Sequence, residues 1–155
     1  MRKALMAGAV GTAVLVALAA TTIAQDTDPR FGRWRLKSEA PAPQSNIMTY
    51  GPHGDGGMSI RIDSVNRNDD ASEWGYTTMF DGKDEPLFGR ESQTAAVRMI
   101  TDEIAEIVYK RNGRVSQILT NVISPDHNTL GIIYMRPGSN GRPDSVSFAT
   151  YERIQ

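Results

Sequence analysis

The chain has 155 residues, of which 39% are hydrophobic and 23% charged, the composition of one soluble globular domain. It contains no cysteine, which excludes a disulfide framework, a thiolate nucleophile and a cysteine-based zinc site. Its formal net charge is −1, whereas a nucleic-acid-binding protein is expected to carry an excess of positive charge.

Residues 1–24 are predicted to form a secretory signal peptide. Arg2 and Lys3 make a positive start, a small and apolar run covers Leu5 to Ala20, and Ala24 ends a small-residue cleavage site. The run is short and alanine-rich for a membrane span, which needs about 20 strongly apolar residues. An uncleaved N-terminal anchor is the alternative. We therefore expect export to the periplasm or the extracellular space, cleavage after Ala24 and no stable membrane insertion afterwards.

The rest of the chain is predicted to be a flexible leader over residues 25–30 and one β domain over residues 31–155. Period-two alternation is clearest where Met58, Ile60 and Ile62 alternate with polar residues, which indicates a half-buried strand. Gln93 to Met99 fits the start of a helix as well as a strand, and its β-rich surroundings favour the strand. Strands are predicted over residues 31–36, 46–50, 58–62, 74–80, 94–100, 103–110, 115–123, 130–136 and 145–153.

The predicted turns are short. Asn112-Gly113 is the strongest two-residue hairpin signal, because a type I′ turn needs positive φ at both positions. Gly51 to Gly57 is a turn by composition, Asp81-Gly82 is a second hairpin signal, and Pro86 confines its neighbours to an edge or a bulge. Short connections predict that sequential strands pair as an antiparallel meander. The expected fold is all-β, an up-and-down meander closed into a barrel of eight to ten strands.

Two sets of residues resemble known barrels. Gly32-Arg33-Trp34 with Arg153 near the end of the chain resembles the calycin and lipocalin pattern. That resemblance implies that Arg153 lies over Trp34 and closes the barrel floor. A further ordered set resembles small secreted bacterial lipocalin-like proteins: Tyr76, the turn Asp81-Gly82-Lys83-Asp84-Glu85-Pro86, Gly89, the hairpin over 110–115, the turn Ser124-Pro125-Asp126 and the ending Tyr151-Glu152-Arg153.

Aromatic residues on several predicted strands are the candidate ligand site. Tyrosine offers both an aromatic surface and a hydroxyl group that orients a ligand. We expect a small hydrophobic or aromatic molecule as the partner, no nucleic acid, and a monomer or homodimer. The alternative is a structural or interaction protein whose barrel is filled by side chains. The candidate ligand-binding residues are Tyr50, Trp74, Tyr76, Phe80, Tyr109 and Tyr134.

A cofactor-free lyase, isomerase or hydrolase that uses the same cavity is the second alternative. His53, in the glycine-rich turn, and Glu106, as a buried carboxylate, are its weak acid–base candidates. The sequence shows no nucleophile motif and no ligand spacing for a metal, and we expect neither a cofactor nor a metal.

Overall fold

The structure, a computed structural model, describes residues 28–37, 44–139 and 142–154 as one antiparallel sheet. Its strand order is β4-β3-β2-β1-β10-β9-β8-β7-β6-β5, a meander that curls into a nearly closed barrel. The predicted all-β meander barrel is therefore confirmed. No helix within the described ranges is long and apolar enough to cross a membrane. The strands are β1 (Gly32–Lys37), β2 (Ser45–His53), β3 (Gly57–Val65), β4 (Ala71–Thr78), β5 (Asp81–Pro86), β6 (Gln93–Met99), β7 (Ile104–Arg111), β8 (Arg114–Ile123), β9 (Thr129–Pro137) and β10 (Pro143–Ile154).

The alternation read from the sequence sets which side chains face inward. In β3, Ile60 and Ile62 are buried while Arg61 between them is exposed. Asn112 and Gly113 join β7 to β8 with φ values of 49° and 75°, so the predicted hairpin turn is confirmed. Because side chains in a strand alternate between faces, each turn of this kind fixes which residues of the next strand enter the barrel.

Several boundaries differ from the sequence expectations. The strand β2 continues to His53, so the turn predicted over 51–57 shrinks to residues 54–56. Asp81-Gly82 begins β5 rather than forming a hairpin turn, and Pro86 ends that edge strand opposite Thr94. The region 93–99 is a strand, not a helix. The predicted signal peptide over residues 1–24 and the leader residues 25–27 lie outside the described residues.

The barrel closes along a seam between its two edge strands, β4 and β5. One bridge crosses it, with Gly75 N donating to Phe88 O at 3.3 Å and Phe88 N donating to Gly75 O at 3.0 Å. A Cβ atom at Gly75 would lie 2.6 Å from Cε1 of Phe88, and 2.1 Å from the carbonyl oxygen of Ile60 on β3. The segment after β5 therefore reaches β4 only because residue 75 has no side chain.

One end of the barrel is closed around Trp34, which is fully buried. Its indole Nε1 donates to the carbonyl oxygen of Arg30 at 2.9 Å, and the Arg153 guanidinium lies 4.4 Å from its ring centroid. Arg153 also donates to the carbonyl oxygens of Phe31, Pro29 and His127. One arginine thus ties the last strand to the start of the first strand over a buried indole.

The residues just before β1 take part in this closure. Arg30 is only 7% exposed, and its guanidinium forms an ion pair with Asp28 at 2.7 Å. It also contacts Met99 Sδ at 3.1 Å and lies 5.6 Å from the ring centroid of Phe80. Residues 28–30, the last part of the leader predicted over 25–30, thus pack against the closed end, and the pairing of Asp28 with Arg30 offsets the cost of burying the arginine charge.

Candidate functional site

The barrel encloses a cavity of about 520 Å³. Its walls come from β2, β3, β4, β6, β7, β8, β9 and β10 and from the segment that follows β5. The apolar and aromatic part of the lining comprises Met48, Tyr50, Ile60, Ile62, Trp74, Tyr76, Leu87, Ile107, Tyr109, Leu119, Ile132, Tyr134 and Tyr151. The polar part comprises Asn46, Ser64, Arg90, Gln93, Arg111, Ser116, Gln117, Asn121 and Arg136.

All five tyrosines of the chain line this cavity. Tyr109 is the centre of the aromatic cluster, with ring centroids 5.9 Å from both Trp74 and Tyr76 in edge-to-face geometry. Edge-to-face pairs add favourable interaction beyond the buried area alone, so these rings hold one another in place. The resulting aromatic wall is preformed rather than assembled by a ligand.

The tyrosine hydroxyl groups make only long contacts, either with one another or with a methionine sulfur. Tyr109 OH donates to Tyr76 OH at 3.4 Å, Tyr134 OH and Tyr151 OH are 3.5 Å apart, and Tyr50 OH donates to Met48 Sδ at 3.7 Å. Good hydroxyl hydrogen bonds are about 2.7–2.8 Å long. These hydroxyl groups therefore retain capacity for better partners inside the cavity.

Burial raises the pKa of every one of these tyrosines. It is the largest cause for Tyr50, Tyr76, Tyr109, Tyr134 and Tyr151, because the phenolate would lose its hydration. For most of them, neighbouring tyrosines raise the pKa further, since two phenolates would repel each other. The hydroxyl groups are therefore protonated, and available as donors, throughout the neutral and mildly alkaline range.

An alkaline titration checks this directly. Tyrosine in an unfolded chain ionises with a pKa of about 10. A raised folded-state pKa gives stabilisation that is fully present below pH 10 and is lost as the pH rises above it. We expect no tyrosinate absorbance while the protein stays folded, and a single step of ionisation that coincides with alkaline unfolding. Tyrosinate absorbance that develops near pH 10 while the circular dichroism remains native would contradict buried hydroxyl groups.

Asn121 places a polar group among the buried side chains of β8. Its side chain is 7% exposed, and its Oδ1 atom has no hydrogen-bond partner among the described residues. Burial raises the pKa of the nearby Tyr50 hydroxyl group, and the Asn121 amide lowers it by a smaller amount. A buried acceptor without a donor is costly, so Oδ1 is a ready partner for an N–H or O–H group in the cavity.

The structure brings five of the six predicted ligand-binding residues together, namely Tyr50, Trp74, Tyr76, Tyr109 and Tyr134. Phe80 is not among the lining residues. The strand β4 ends at Thr78, and Phe80 lies in the following turn with φ of 58°, beneath Arg30 at the closed end. The strand predicted over 74–80 stops at Thr78, so Phe80 does not continue the face that carries Trp74 and Tyr76.

The two candidate acid–base residues lie away from the cavity. His53 is exposed at the turn between β2 and β3, on the end of the barrel that Trp34 closes. Glu106 is not a buried carboxylate: it faces outward from β7, and its Oε1 accepts a hydrogen bond from Arg98 at 2.8 Å. No group of three or more His, Asp or Glu side chains within the described ranges is placed to hold a metal ion.

Several lining residues were not predicted as site residues, among them Tyr151 and three arginines. Tyr151 has the same parity on β10 as Arg153, so a period of two counted back from the closure residue finds it. Arg111 stands two residues after Tyr109 on β7, and Arg136 stands two residues after Tyr134 on β9. Because side chains alternate along a strand, both arginines share the inward face of those tyrosines. Arg90 has no local signal, because its position depends on the segment that crosses the seam at Gly75.

No protein-family model matches this chain, and no curated protein matches it. Solved structures match it by their fold. Wild-type fluorescent protein UnaG aligns with a TM-score of 0.58 and 14% identity, over 80% of this chain and 96% of that chain. A single-residue variant of UnaG aligns with a TM-score of 0.60 and 13% identity, over 82% of this chain and 97% of that chain. At this identity the likeness shows a shared β-barrel fold.

Proposed function

We propose that the protein binds a small, mainly apolar or aromatic molecule inside its barrel, in the periplasm or outside the cell. The observation that carries the proposal is the cavity of about 520 Å³ lined by Trp74 and five tyrosines. Pockets for small molecules in proteins measure about 300–1,000 Å³ and combine apolar walls with a few polar groups. Affinity comes from apolar burial, and the tyrosine hydroxyl groups and Asn121 Oδ1 set the orientation of the ligand.

The two alternatives drawn from the sequence receive less support. A barrel filled by side chains would leave no space of ligand size, whereas this barrel retains one. A catalytic role needs an acid or base within reach of the substrate. Both residues considered for that role, His53 and Glu106, lie outside the cavity, so no observation favours a particular reaction.

Export remains a proposal that rests on the sequence of residues 1–24. The positive start, the apolar run and the small residues ending at Ala24 have the three-part order of a signal peptide. The chain after residue 24 would then be the mature protein, with a single barrel domain. Its test is the mass of the protein recovered from the cells that make it, which we expect to correspond to residues 25–155.

The binding proposal is tested by titration with N-phenylnaphthylamine, a neutral aromatic probe that fluoresces strongly only in apolar surroundings. We expect saturable enhancement with one site per chain, because the cavity accommodates one molecule of this size. The matched comparison uses a variant with Trp74 and Tyr76 both replaced by alanine. Folded variant protein that binds the probe with unchanged affinity would show that this aromatic wall is not the site.

A further inference from the structure

Three arginine side chains stand at one end of the cavity. Arg111 ends β7, Arg136 lies at the end of β9, and Arg90 follows β5. Alternate strands of an antiparallel meander run in the same direction, so β5, β7 and β9 finish at the same end of the barrel. That end is opposite the one closed by Trp34 and Arg153, which stand at the start of β1 and the end of β10.

The charge of these three side chains is uncompensated. The cavity lining contains no aspartate and no glutamate. Within the described part of the chain, Arg90, Arg111 and Arg136 take part in no ion pair, whereas other cations do. The open end of the cavity, where Arg90, Arg111 and Arg136 stand, therefore presents a cluster of guanidinium groups beside an apolar space.

Arg90 shows how one of these groups is held. Its guanidinium carbon lies 4.0 Å from the ring centroid of Trp74, which keeps it over the aromatic wall. Burial lowers the pKa of Arg90, Tyr109 raises it, and the positive charge of Arg111 lowers it again. Like charges gathered around a partly apolar mouth raise the local positive potential and favour an anion there.

We propose that the molecule bound in this barrel carries an anionic group, a carboxylate, sulfonate or phosphate, which Arg90, Arg111 and Arg136 hold at the open end. The planar guanidinium fork matches such oxyanions and forms two hydrogen bonds with one of them. The apolar body of the ligand then lies along the tyrosines, and its far end reaches Asn121. This inference rests on the proposed binding function and specifies its ligand class.

Two probes with the same aromatic body separate this inference from the binding function. N-Phenylnaphthylamine is neutral, and anilinonaphthalenesulfonate adds one sulfonate to the same rings. We expect the sulfonate to bind about ten-fold more tightly, which corresponds to one good charge-assisted contact. We also expect its affinity, and not that of the neutral amine, to fall as salt is added.

Single substitutions locate the effect. Arg111→Gln and Arg136→Gln each remove one positive charge from the cavity lining, and we expect each to weaken sulfonate binding several-fold with neutral-probe binding unchanged. Arg114→Gln is the matched control, because Arg114 begins β8 directly after the hairpin turn and is exposed and outside the lining. Circular dichroism and unfolding midpoints confirm that each variant is folded.

The outcomes distinguish the two proposals. If neither probe binds, the binding function itself fails. If both probes bind with equal affinity, the binding function stands and the anionic class is overturned. If Arg114→Gln weakens sulfonate binding as much as Arg111→Gln does, the preference comes from the overall charge of the surface, and the assignment to the three arginines is overturned.

Discussion

Replacement of Trp34 by alanine is expected to lower the free energy of unfolding by about 3–5 kcal/mol. The indole is fully buried, donates a 2.9 Å hydrogen bond to the Arg30 carbonyl oxygen and lies under the Arg153 guanidinium. Alanine would leave a cavity at the closed end, an unpaired carbonyl group and an arginine without its aromatic partner. Urea unfolding followed by circular dichroism measures the loss.

The matched control is the other tryptophan of the chain. Trp74 is partly exposed, and one side of it borders the open cavity, so Trp74→Ala removes fewer packed contacts. We expect the destabilisation at position 74 to be clearly smaller. A loss at position 34 that equals or falls below the loss at position 74 would contradict the account of the closed end.

The second large effect is on ligand binding. Leu119→Trp is expected to weaken binding of N-phenylnaphthylamine at least about ten-fold, because the larger side chain occupies space that the probe needs. Leu119 is buried and faces the cavity from β8. The open space in front of it accepts an indole with less strain than a close-packed core would impose. A fluorescence titration measures the dissociation constant.

Val122→Trp on the same strand is the control. Val122 faces outward and is 38% exposed, so a tryptophan there adds the same residue without entering the cavity. If Leu119→Trp fails to fold, Gln117→Trp repeats the experiment from a position nearer the arginines. Wild-type affinity in a folded Leu119→Trp or Gln117→Trp protein would show that the probe binds elsewhere.

The fold was predictable because its signals are local. The alternation around Ile60 and the Asn112-Gly113 turn each act over a few residues, and both are present in the structure as predicted. The outward orientation of Glu106 was also readable, since its neighbours Ala105 and Ile107 form the buried face. A buried carboxylate at position 106 would contradict the period of two along β7.

The polar half of the site depends on long-range geometry. His53 stands in a turn at one end of the barrel, and no local pattern shows that Trp34, Arg153 and Arg30 close that same end. Arg90 reaches Trp74 because Phe88, in the segment after β5, pairs with Gly75 of β4, and these two residues are distant in sequence. Sequence alone therefore predicts the aromatic wall but not which end of the barrel admits a ligand.

Native mass spectrometry of the protein purified from the cells that make it, before and after denaturing extraction, tests the central claim most directly. We predict an added mass that denaturation releases, from a small molecule with an apolar or aromatic body. A chain that carries no added mass, and that also fails to enhance the fluorescence of N-phenylnaphthylamine, would contradict the claim that this cavity holds a ligand.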